Sequence, residues 1–207
     1  MNKIISPNML KTYRECPHKF YLRYIRQISA PQKETPFEKG KRIHALANYY
    51  LKGFDIDKLE NTLNTEEKHV WELLKTNEYF NKEYLNSEYN LSCKIGEYWV
   101  GGRLDAVVKD GNNYYILDYK TGSIPQNPEY DYQTMIYLLS AKRIFKNADK
   151  IRFIYIDLKN NQNHIIELND KLQSEYEKEI QKICGTIEHD KTYTKTCAKY
   201  CEFKKIC

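Results

Sequence analysis

No apolar run in this chain approaches the roughly 20 residues that a membrane-spanning helix needs. The first residues, Met1-Asn2-Lys3-Ile4-Ile5-Ser6-Pro7, lack the apolar stretch of a secretory signal. These two absences predict a cytoplasmic protein with no membrane partner. Internal repeats and low-complexity segments are also missing. Charge of one sign is not abundant either: 33 Lys+Arg against 28 Asp+Glu leave a formal net charge of +5. That excess permits a polyanionic partner without demonstrating one. In a reducing cytosol the six cysteines do not make a disulfide framework, so another use or burial is expected for them. The 19 tyrosines sit in a chain rich in Asn, Lys and Ile, and carry no functional weight by themselves.

What is present suits a single domain over residues 1–207, with 41% hydrophobic and 29% charged residues. Ser6 as N-cap and Pro7 at the first helical position predict a short helix. Pro17 interrupts it, a second helical piece follows, and 29–36 reads as a loop with two prolines. A longer helix is expected from Phe37 to about Lys52, stopped by Gly53. Residues 55–86 read as a helical insertion. The pattern then turns to strands at Glu88–Ile95, Tyr98–Val108 and Tyr114–Lys120, joined by hairpin turns. A helix over 129–146, strands at 151–158 and 164–168, and a last helix over 171–187 capped by Asp170 complete the order. The expectation is an α/β fold with a central mixed sheet flanked by helices.

Chemistry gathers at Gly101-Gly102-Arg103-Leu104-Asp105 and Ile116-Leu117-Asp118-Tyr119-Lys120-Thr121-Gly122. Residues i and i+2 of a strand share a face, so Asp118 and Lys120 point the same way. Asp105 lies one hairpin away, close enough to share a cation with Asp118. Hard carboxylate oxygens select Mg²⁺ or Mn²⁺. Such an ion would polarise a phosphate and lower the pKa of a bound water, and Lys120 could orient that water.

These residues resemble the PD-(D/E)xK nuclease superfamily in its RecB-like branch. Gly102-Arg103-Leu104-Asp105 is similar to that branch's G-x-[ILV]-D element, and Asp118-Tyr119-Lys120-Thr121-Gly122 to its D-x-K-T-G element. Gln133 to Tyr137 resembles Q-x-x-x-Y, and Gly40 to His44 resembles G-x-x-x-H. The resemblance implies a restriction-endonuclease-like core (about 37–190) and a metal-dependent nuclease acting on DNA. It implies His44, Asp105, Asp118 and the Tyr119 backbone carbonyl as metal ligands, and Lys120 as the catalytic lysine beside the two aspartates. Gln133 and Tyr137, one helical turn apart, would contact DNA or position Lys120. Glu88 is kept outside the ligand set. Lys41 and Arg42, one turn before His44, would meet incoming phosphates.

Cys197-x3-Cys201-x5-Cys207 with the early Cys16 resembles the iron–sulfur members of the same branch. By that resemblance the four thiolates hold a [4Fe–4S] cluster in a clasp formed by residues 6–28 and 191–207. The spacing between the first two late cysteines is one residue longer than the family's usual C-x2-C, and Zn²⁺ suits four thiolates as well. Cys93 and Cys184 are expected as buried thiols. The implied substrate is DNA, single-stranded or with free ends, and exonuclease action is the expectation. CRISPR-associated RecB-like exonucleases and AddB-type nuclease domains share the layout, so repair, phage DNA processing and CRISPR adaptation all stay open. A different class of reading is a non-catalytic DNA-binding scaffold that works with a helicase or integrase partner.

Overall fold

The computed structural model describes residues 4–29, 37–196, 201–204 and 206, with 37–39 as backbone alone. Helix α1 (Pro7–Glu15) starts as its sequence dictates: the Ser6 side chain accepts the Met9 amide, and Pro7 fills the first turn, where a missing N–H costs nothing. Cys16 breaks the helix in extended backbone, and its sulfur accepts the Lys19 amide at 3.4 Å to start α2 (Pro17–Phe20). A π-helical turn, Tyr21–Ile25, follows directly. Most of the loop expected over 29–36 falls outside the described residues.

Helix α3 (Phe37–Leu51) ends just before Gly53, which adopts the left-handed φ of +73° that a helix stop requires. Residues 55–86 contain α4 (Asp57–Glu60) and α5 (Thr65–Lys75), the latter opened by a capping box between Asn64 and Glu67. They are not helical throughout. Strand β1 runs from Glu83 to Ile95, five residues earlier than the sequence pattern predicts. Its first half has few buried side chains, so it lacks the apolar alternation that announces a strand.

Strands β2 (Tyr98–Asp110) and β3 (Asn113–Lys120) continue the antiparallel meander. Helix α6 (Tyr132–Ile144) then crosses over to β4 (Lys150–Asp157), which runs parallel to β3, and β5 (Gln162–Glu167) pairs antiparallel with β4. The five strands lie in sequence order, and the sheet is mixed as expected. A 3₁₀ turn, Pro128–Tyr130, occupies the start of the predicted 129–146 helix. The cap of α7 (Asp170–His189) is Asn169, whose side chain accepts the Leu172 amide at 2.9 Å, rather than Asp170.

Both faces of the sheet are covered, which is why β3 is buried along nearly its whole length. On one face α1, α6 and α7 pack over Leu91, Val107, Ile116 and Phe153; on the other, α3 and α5 pack over Ala106, Leu117 and Ile154. Cys93 and Cys184 are both buried on the first face. The two ends of the chain meet beside it. Tyr13 donates to Asp190 at 2.7 Å, Thr196 to the Glu15 carbonyl at 3.0 Å, Arg23 pairs with Glu202, and Phe203 is buried.

Candidate active site

The ladder between β1 and β2 passes from Ser87/Ala106 to Tyr89/Leu104 without a bonded pair at Glu88/Asp105. Glu88 has φ +50°, a left-handed conformation that is unusual for a glutamate in mid-strand. On β2, Leu104 packs into one core and Ala106 into the other, although residues two apart on a regular strand share a face. The sheet is therefore irregular at one row, and that row carries Glu88, Asp105 and, one strand further, Asp118.

Helix α3 brings His44 over the row. Gly40, one turn earlier, lets the helix close on the end of β3: a Cβ there would sit 3.3 Å from the Thr121 hydroxyl. The His44 Nδ1 lies 3.0 Å from an Asp105 carboxylate oxygen, and its Nε2 lies 3.0 Å from the Tyr119 carbonyl. The other Asp105 oxygen accepts the Tyr119 amide at 2.8 Å. A backbone carbonyl can only accept, so Nε2 donates to Tyr119, while Nδ1 faces the carboxylate. Burial disfavours a charged ring, but the hydrogen bond and charge of Asp105, with the charge of Asp118, outweigh it and raise the His44 pKa. The imidazole thus bridges the Asp105 carboxylate and the Tyr119 carbonyl.

Asp118 is buried. Gln133, on the first turn of α6, donates to one of its oxygens, and the Lys120 ammonium lies 2.7 Å from the other. Burial, then the neighbouring Asp105 charge, raise the Asp118 pKa to about 6, although Lys120 opposes the shift. Burial disfavours the Lys120 charge too, yet Asp118 and Asp105 together raise its pKa, so the ammonium persists.

One ligand atom each from His44, Glu88 and Asp105 lie within 4.8 Å of one another. An imidazole with two carboxylates suits a divalent cation. The group opens onto a cleft of about 990 Å³ that Lys41, Arg103, Lys120 and Thr121 also line. Glu88, set outside the ligand set on sequence grounds, is placed beside His44 and Asp105. It pairs with Arg103 at 2.9 Å. Nothing in its local sequence signals the left-handed turn that aims it there.

Other expected residues sit differently. Tyr137 is buried and donates to the Arg103 carbonyl at 2.8 Å, so it braces β2 and does not face the cleft. Gln133 holds Asp118, not Lys120. Arg42 is turned toward the buried Glu67 of α5, 2.5 Å away, whereas Lys41 lines the cleft. Cys16 is buried and Cys201 half-buried, and both lie in the segments where the chain ends meet. Cys197 and Cys207 lie outside the described residues.

With this geometry in place, the sequence matches the PD-(D/E)XK nuclease superfamily over residues 4–207. The chain belongs to that superfamily, whose nucleases use divalent metals. It is 22% identical to the CRISPR-associated exonuclease Cas4 of Francisella tularensis subsp. novicida (strain U112), over 98% of this chain and 93% of that protein. It is 30% identical over 132 residues to the RecBCD enzyme subunit RecB of Borreliella burgdorferi (strain ATCC 35210 / DSM 4680 / CIP 102532 / B31), a match to 52% of this chain and 11% of RecB. These relatives set it in the RecB-like branch. A solved structure of a candidate exonuclease from Eubacterium rectale shares the fold, with TM-score 0.55 at 10% identity, over 89% of this chain and 81% of that one. Among the described residues no helix is long and apolar enough to cross a membrane.

Proposed function

We propose that this protein is a Mg²⁺- or Mn²⁺-dependent deoxyribonuclease that degrades single-stranded DNA from free ends in the cytoplasm. The observation that carries the reading is the His44–Glu88–Asp105 donor group set one strand away from the buried Asp118–Lys120 pair. His44, Asp105, Asp118 and the Tyr119 carbonyl would hold the cation, with Glu88 joining them. A bound divalent ion supplies Lewis-acid polarisation of the phosphate and a water of lowered pKa. Lys120, kept charged by Asp118, orients the attacking water and offsets the charge that develops on the phosphate. Gln133 fixes the Asp118 carboxylate, and Lys41 at the cleft wall meets the backbone of the substrate.

The near full-length correspondence to a protein named as an exonuclease supports action from ends, and CRISPR-linked DNA processing ahead of repair or phage functions. The RecB relative is a subunit of RecBCD, and by analogy a helicase or integrase partner fits this chain too. The paired chain ends support a clasp in which Cys16, Cys197, Cys201 and Cys207 hold a [4Fe–4S] cluster, with Zn²⁺ as the rival metal. End-labelled single-stranded DNA incubated with Mn²⁺ is expected to shorten progressively, and Asp118→Ala to abolish the products. Intact DNA, or cleavage untouched by Asp118→Ala, overturns the reading.

A further inference from the structure

The cleft at His44 does not end at Lys120. Lys120 and Ser123 also line a second cavity of about 1050 Å³, which opens beyond them between α1, the start of α6 and α7. That is ample for a nucleotide, since small-molecule sites usually measure ~300–1,000 Å³. The nuclease reading uses only Lys120 and Gln133 of its walls.

Three features of those walls identify an occupant. Tyr130 is 46% exposed, and its ring meets Tyr176 edge-on, leaving an aromatic surface in the cavity. Glu175 accepts the Tyr130 hydroxyl at 3.1 Å, which fixes the ring's position. Lys178 and Lys182 also line the cavity and, unlike Lys11 and Arg14, have no carboxylate partner among the described residues. Carboxylates near the ring repel phosphate, which turns a bound backbone toward the lysines. The arrangement is an aromatic platform with cations available to a phosphate backbone.

We infer that this cavity receives the unstacked base of the nucleotide next to the scissile phosphate, with the base on Tyr130 and the adjoining phosphates toward Lys178 and Lys182. The inference rests on the nuclease reading only for the position of the scissile phosphate. A base within a duplex is paired and stacked, and extruding it costs a few kcal/mol that an unpaired strand largely avoids. The cavity therefore selects single strands. Stacking on a tyrosine face tolerates every base, so the selection is for strandedness and not for sequence.

The test is fluorescence anisotropy of the full chain with fluorescein-labelled oligo-dT and with the matching dT·dA duplex, using Ca²⁺ in place of Mn²⁺. Tyr130→Ala is expected to weaken single-strand binding about tenfold, Tyr130→Phe to leave it within about twofold, and neither to change duplex binding. Lys182→Glu should flatten the salt dependence by about 0.7 in slope. An abasic residue walked along the strand should weaken binding at one position in wild type and at none in Tyr130→Ala. Equal losses for single strand and duplex, or full affinity in Tyr130→Ala, overturn the inference. Wild-type cleavage measured alongside separates the two readings. Cleavage with Tyr130-independent binding removes this cavity and leaves the nuclease, and Tyr130-dependent binding without cleavage does the reverse.

Discussion

At the scale of single residues, the carboxylate row is held by hydrogen bonds and an ion pair of its own. His44 bridges Asp105 and the Tyr119 carbonyl, and Lys120 neutralises Asp118. The proposed cation requires an ionised Asp118. Burial and the Asp105 charge push the Asp118 pKa up to about 6 from an ordinary value near ~3.9, so protons would compete with the proposed cation closer to neutrality than usual. Calorimetric titration with Mn²⁺ is expected to give strong binding above pH 7 and a steep loss of affinity as pH falls through about 6. Affinity that stays flat to pH 5 would contradict the raised pKa. The same shift has a stability sign. A raised carboxyl pKa means the folded state holds the proton more tightly, so this group's contribution to folding fades as pH rises from ~3.9 through about 6. Glu88→Gln keeps the size of the side chain and removes its charge. It should weaken Mn²⁺ binding by about tenfold or more, and unchanged affinity would place Glu88 outside the metal site.

At the scale of elements, close approach between β2 and its neighbours positions the row of carboxylates. A Cβ on Gly102 would lie 2.7 Å from the Tyr137 hydroxyl, which itself braces the Arg103 carbonyl. Gly102→Ala is expected to destabilise the protein by roughly 1–3 kcal/mol, read by thermal unfolding, and adding Tyr137→Phe should recover part of that loss. Strict additivity of the two substitutions would show that they do not share this contact. Much of this was legible in the sequence. The meander, the helix ending at Gly53, and the Ser6/Pro7 start follow from local chemistry, because caps and turns act over a few residues. The first half of β1 was not legible, since an exposed strand leaves no alternation to read. Nor was the geometry at Glu88: a left-handed glutamate is set by the strands around it, and sequence assigns that conformation to glycine first. The four motif elements gave the acids and the lysine, but they could not show that Arg42 turns to Glu67 or that Tyr137 supports β2 from inside.

At the scale of the whole molecule, two cores sandwich the sheet, and the first and last segments are tied together by Tyr13–Asp190, Glu15–Thr196 and Arg23–Glu202. A four-cysteine clasp would close a loop of nearly the full chain length, and loop-closure reasoning puts its stabilisation at several kcal/mol. Protein purified without oxygen is expected to be brown, with absorbance near ~400 nm that Cys201→Ser removes. A colourless protein with bound zinc would assign the clasp to Zn²⁺. In the proposed active site, Lys120 would act on a phosphate that meets the cation held by the carboxylate row. Single-turnover cleavage of labelled single-stranded DNA by Lys120→Ala, with Mn²⁺ binding measured on the same sample, tests it most directly. Mn²⁺ is expected to bind as before while the cleavage rate falls about a hundredfold or more. Cleavage at the wild-type rate would contradict it.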